Sequence, residues 1–117
     1  KRITLGDNHD MILNRSIRAH ANFAEYVPLA VLMILVISQI TLPITLEKNQ
    51  SMSLMTHFLF STLIVGRLSH AYGILFQETQ KKPSFTTRQL GMILTFGVIG
   101  FSALILILNW IYSLAIL

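Results

Sequence analysis

No charged residue interrupts residues 26–46, 49–66 or 89–117. Roughly 20 apolar residues in helical form cross the hydrocarbon core of a bilayer, so a chain of 117 residues built on three such runs reads as an integral membrane protein. Its composition agrees, 53% hydrophobic against 12% charged, far from that of a soluble domain. Within lipid every backbone polar group must be paired, which leaves helices or a closed barrel. The barrel fails, because VPLAVLMILVISQI and MILTFGVIGFSALILIL lack the period-2 alternation of lipid-facing strands. The expected fold is all-α, a single antiparallel bundle with transmembrane helices over residues 19–43, 52–76 and 88–115, preceded by a cytoplasmic segment over 1–18.

The distribution of cations sets the orientation. Lys1, Arg2, Arg15 and Arg18 precede the first span, only Lys48 lies in the 43–51 turn, and Lys81, Lys82 and Arg88 follow the second span. The positive-inside bias puts the N-terminal segment and the 77–88 loop in the cytoplasm, with the 43–51 turn and the C-terminus outside. The excess of nine Lys/Arg over five Asp/Glu is thus topological and does not argue for nucleic acid. A turn is expected at Gly6-Asp7-Asn8 and an interfacial helix from Asp10 into the first span. Pro28 should bend that span near the interface, Pro43 should end it, and Pro83 should separate the second helix from the third. Gly97, Gly100, Ser102 and Ala103 give the third helix the small residues that close helix contacts in lipid favour. The chain begins at Lys1 with no apolar leader, so its natural N-terminus is expected upstream.

Polarity at membrane depth is confined to a few positions. In RAHANFAEYVP, Arg18, Asn22 and Glu25 are spaced four and three apart and share one helix face, while His20 points away. In GRLSHAYG, Arg67 and His70 share a face of the second helix, and Arg88 opens the third. With helices alternating in direction, these groups converge at the cytoplasmic level, where unpaired ionisable side chains are costly. Two plain readings compete: an ion pair of Arg18 with Glu25 across two turns, and Arg67 and Arg88 snorkelling to anionic headgroups. Neither accounts for Asn22. The set suits a zwitterion with several carboxylates, such as a small acidic peptide: arginines clamp carboxylates, Glu25 receives an ammonium and Asn22 orients an amide. His9, His20, His57 and His70 are scattered over depths and faces, so no metal site is expected. The absence of cysteine excludes a protein thiol nucleophile, so any thiol chemistry must use a borrowed thiol.

RAHANFAEYVP followed some forty residues later by GRLSHAYG resembles the superfamily of membrane-associated proteins in eicosanoid and glutathione metabolism, particularly its bacterial members. The resemblance covers nearly the whole chain. It implies a bundle of four transmembrane helices per subunit, of which this chain supplies the last three, a homotrimer in the bacterial inner membrane, and glutathione bound between subunits on the cytoplasmic side. By position, Arg18, Asn22, Glu25, Tyr26 and Arg67 resemble glutathione-binding residues, Arg88 the arginine that stabilises the thiolate, and His70 a position held by histidine or tyrosine and a rival thiol activator. Ala21 stands where the prostaglandin synthase branch has an arginine and Ile74 where synthases have a tyrosine, which disfavours an eicosanoid-specific activity. The implied function is glutathione transferase or peroxidase activity on lipophilic electrophiles or lipid hydroperoxides. Two alternatives stand beside it: a non-catalytic lipid-binding scaffold of the same family, against which Arg18, Glu25 and Arg67 argue, and a subunit of a larger complex or transporter with Arg67 and Glu25 in intersubunit pairs.

Overall fold

A computed structural model describes residues 10–39, 50–76 and 85–116. Among the described residues there are three helices and no strand: α1 (Met11–Gln39), α2 (Gln50–Leu75) and α3 (Thr86–Ile116). Each contains a stretch long and apolar enough to cross a membrane. At about 1.5 Å per residue, α1 and α3 run to about 43 and 46 Å. Both exceed the roughly 30 Å hydrocarbon core, so their ends reach the polar layers. The Gly6-Asp7-Asn8 turn, Pro43 with the outer turn up to residue 49, and the inner loop at 77–84 with Pro83 lie outside the described residues.

The start of α1 is fixed by a side chain rather than by hydropathy. Asp10 Oδ1 accepts the backbone N–H groups of Ile12 at 2.9 Å and Leu13 at 3.2 Å, capping two donors that the first helical turn leaves unpaired. The polar segment and the apolar span therefore form one continuous helix, which gives Arg18, Asn22 and Glu25 a common face. A bend is expected at Pro28; the helix is unbroken there, although the ring removes the N–H that the Ala24 carbonyl would otherwise receive.

Each helix turns one stripe inward, and all three helices touch one another. Ala30, Ile34 and Ile37 of α1, Leu59 and Leu63 of α2, and Val98 and Ile105 of α3 form the apolar core. On α3 the buried positions Gly91, Thr95, Val98, Ser102 and Ile105 alternate four and three apart, the spacing of a coiled-coil seam. The α2 stripe turns polar toward its C-terminal end, where Arg67 and His70 are buried. Thr95 offsets the polarity of its own hydroxyl by donating to the Gly91 carbonyl at 2.8 Å.

Lipid tails are as apolar as leucine, so the helices are held by close packing more than by water exclusion. The closest approach is between α2 and α3. A Cβ placed on Gly91 would fall onto the Gly66 carbonyl and within 2.5 Å of the His70 nitrogen, and one on Gly73 would lie 2.7 Å from the Arg88 nitrogen. Moving down α2 from Gly73 to Gly66, the neighbours on α3 climb from Arg88 to Thr95. The sequence points instead to Gly97 and Gly100 as contact glycines, and among the described residues of the single copy nothing lies within 4 Å of a Cβ placed on either. Both are exposed, off the buried stripe of α3, while Ser102 from the same small-residue group lies on it.

This crossing predicts unequal costs for identical substitutions. Gly91→Ala should lower stability in detergent by about 1–3 kcal/mol through overpacking, read as a reduced unfolding temperature. Gly97→Ala should leave that temperature nearly unchanged, since its methyl enters open space.

Candidate functional site

Four of the polar residues read from the sequence line one cavity. Arg18, Asn22 and Glu25 come from α1 and Arg88 from the first turn of α3, around about 240 Å³, with Ala21 and Ile74 completing the wall. Ala21 and Ile74, the two positions that the resemblance marks as departures from the synthases, both line this cavity. Arg18 and Glu25 are exposed, and among the described residues no hydrogen bond or ion pair joins them. Mutual compensation across two turns of α1 is not how the stripe is satisfied in the single copy. Two guanidinium groups, a carboxylate and an amide around one small space can bind a ligand that carries both carboxylates and an ammonium.

The remaining polar residues stand behind this wall. Arg67 is 93% buried by exposure of 7% and donates from Nη2 to Asn22 Oδ1 at 3.0 Å, so it acts on the cavity through Asn22. Among the described residues its Nε and Nη1 have no hydrogen-bond partner, an unusual state for a buried guanidinium. His70 is 1% exposed, and its Nδ1 lies 3.1 Å from the Arg88 carbonyl oxygen. A carbonyl only accepts, so that nitrogen carries the proton. Neither Arg67 nor His70 is among the residues that line the cavity.

Tyr26 takes a third position. Its ring meets that of Phe96 edge to face, with centroids 5.2 Å apart and planes at 86°. Phe96 belongs to a larger groove of about 570 Å³ along α3, lined also by Phe85, Arg88, Gln89, Met92 and Ile93. Arg88 is thus common to the polar cavity and the mainly apolar groove. Sequence reasoning finds Arg88 but misses the groove, whose signal is the helical spacing of Phe85, Met92 and Phe96 with Arg88 and Gln89 on the same side of α3. It also misses Gly66, Gly73 and Gly91, which carry the closest helix contacts of the site.

Comparison with known proteins gives a consistent frame. The model of the MAPEG family matches residues 4–108. Two curated relatives, the inner membrane protein YecN of Escherichia coli strain K12 and that of strain O6:H1, are each 33% identical over 72 residues, covering 62% of this chain and 48% of the relative. The chain spans about half the length of the curated relatives it matches. No solved structure matches. Three membrane-crossing helices together with these relatives make the chain a multi-pass integral protein of the inner membrane.

The Asn22–Arg67 contact can be isolated by a double-mutant cycle. Asn22→Leu should destabilise the fold by about 1–3 kcal/mol, because it strands a buried guanidinium. Adding Arg67→Met should restore most of that loss, since an apolar pair of similar volume replaces a buried charge. Additive losses in detergent unfolding would mean that the two side chains do not depend on each other.

Proposed function

Because the chain belongs to the MAPEG family, we propose that it is a membrane-bound glutathione transferase or peroxidase of the antiparallel helical-bundle type, assembled as a homotrimer with its site at the cytoplasmic side. The observation that carries this reading is the shared wall: Arg88 borders both a polar cavity suited to a zwitterionic peptide and an apolar groove suited to a lipophilic electrophile or lipid hydroperoxide. A polar and an apolar reactant seated in the two spaces would meet at that residue.

The roles follow from charge and position. Arg18 holds a carboxylate of the tripeptide, Glu25 takes its ammonium, and Asn22, steadied by Arg67, orients an amide. Tyr26 supports the groove through Phe96. Arg88 stands where a guanidinium favours the anionic form of a bound thiol, and bound glutathione supplies the nucleophilic sulfur that this cysteine-free chain lacks. No protein nucleophile is required; proximity and fixed charge suffice. Trimer assembly covers Arg18 and Glu25, which are exposed in a single copy.

Two measurements test the reading. Glutathione at about 100 times its dissociation constant should stabilise the purified protein in detergent by about 2.7 kcal/mol, and neither a lipid-binding scaffold nor a transporter subunit predicts that effect. Glu25→Ala should weaken glutathione by about tenfold, roughly 1.4 kcal/mol, with unfolding of the free protein unchanged. Equal affinity for both proteins by calorimetry would remove Glu25 from the site.

A further inference from the structure

The cavity depends on where α3 begins, and α3 is not fixed there by an apolar core. Its first turn is gripped by one face of α2. Gly73 lies against the Arg88 backbone, Gly91 lies against the His70 backbone and Gly66, and the His70 side chain is buried. Within this grip His70 makes a directed contact, Nδ1–H to the carbonyl oxygen of Arg88 at 3.1 Å. That carbonyl already faces the helical N–H four residues on, and its second lone pair can take the imidazole. A ring that is 1% exposed and absent from the cavity wall is poorly placed to touch a ligand. It is well placed to set the rotation and height of the residue whose carbonyl it holds.

We infer that His70 is a positioning residue: through the main-chain carbonyl of Arg88 it sets the first turn of α3 so that Arg88 stands at the junction of the polar cavity and the apolar groove. This rests on the proposed glutathione reading for its catalytic consequence, but the contact itself concerns only α2 and α3. An error in the rotation of α3 of one residue, about 100°, would carry Arg88 off that junction. Gly73 and Gly91 serve the same end, because any side chain there would push the first turn of α3 away from the imidazole.

Bond counting supplies the test. The amide nitrogen of asparagine sits as many bonds from the backbone as histidine Nδ1, and that of glutamine as many as Nε2. His70→Asn should therefore keep the bond to the Arg88 carbonyl, and His70→Gln should lose it. Two readouts apply to the full chain in detergent: hydrogen exchange of the backbone amides of residues 85–91, without glutathione, and turnover of an aryl halide with glutathione. His70→Asn should match the parent in both. His70→Gln should exchange about tenfold faster, the loss of a contact worth roughly 1.4 kcal/mol in local opening. It should also lose kcat by a similar factor while its KM for glutathione stays near that of the parent. Gly73→Ala, which leaves the imidazole intact but displaces the Arg88 backbone, should reproduce the His70→Gln result and decides the matter if that variant does not fold. Equal behaviour of the Asn and Gln variants, or a rise in KM with kcat preserved, overturns the assignment. A parent protein that neither turns over nor is stabilised by glutathione would sink the functional reading alone, and the exchange comparison would still decide the role of His70.

Discussion

A polar side chain in a bilayer has no water to fall back on, so each must find a partner in the protein, a ligand or an aqueous opening. This constraint organises the molecule. Over most of their length the helices bury only apolar or small residues, from Ala30, Ile34 and Ile37 to Leu59, Leu63 and Val98. At one end the α2 seam turns to Arg67 and His70, and the polar residues there are met from the neighbouring helices: Asn22 of α1 takes one guanidinium nitrogen, and the Arg88 carbonyl of α3 takes the imidazole. The polar groups are arranged in depth, with Arg67 and His70 inside and Arg18, Asn22, Glu25 and Arg88 around an open cavity.

This layering separates two kinds of work. The outer residues carry charge that a ligand can meet, and the inner ones carry bonds that hold the outer ones in place. The glycine crossing serves both, since it brings the α3 backbone near enough to α2 for a side chain to reach a carbonyl. The apolar groove along α3 is continuous with the first turn that the crossing fixes, so Arg88 belongs to both spaces by construction. A guanidinium at the edge of an apolar space is less screened than one in water, and its effect on a neighbouring anion is correspondingly larger.

Much of this is legible in the sequence, and the limits are physical. Uncharged runs reveal helices, because length and hydropathy decide what crosses lipid. The four-and-three spacing of Arg18, Asn22 and Glu25 reveals a shared face, because the α-helix fixes that geometry. What stays hidden is rotation: GRLSHAYG places Arg67 and His70 together on α2 but does not say that both turn behind the cavity wall. The same holds for glycines. Gly97 and Gly100 resemble a packing motif more than Gly66, Gly73 and Gly91 do, yet the crossing point of two helices is settled by their partners and not by either helix alone. The start of α1 is found at Asp10 by its cap, ahead of the apolar run, because capping acts on backbone donors that hydropathy does not register.

In the proposed reaction Arg88 acts on the sulfur of bound glutathione while the α1 residues hold the rest of the molecule. Thiolate absorbs in the near ultraviolet, so difference spectra against pH titrate the bound thiol directly. Arg88→Leu should raise its apparent pKa by about one to two units, each unit being about 1.4 kcal/mol of charge stabilisation, with affinity for S-hexylglutathione nearly intact. An unchanged titration in that variant, or a loss of S-hexylglutathione binding as large as the loss of thiolate, would contradict the account.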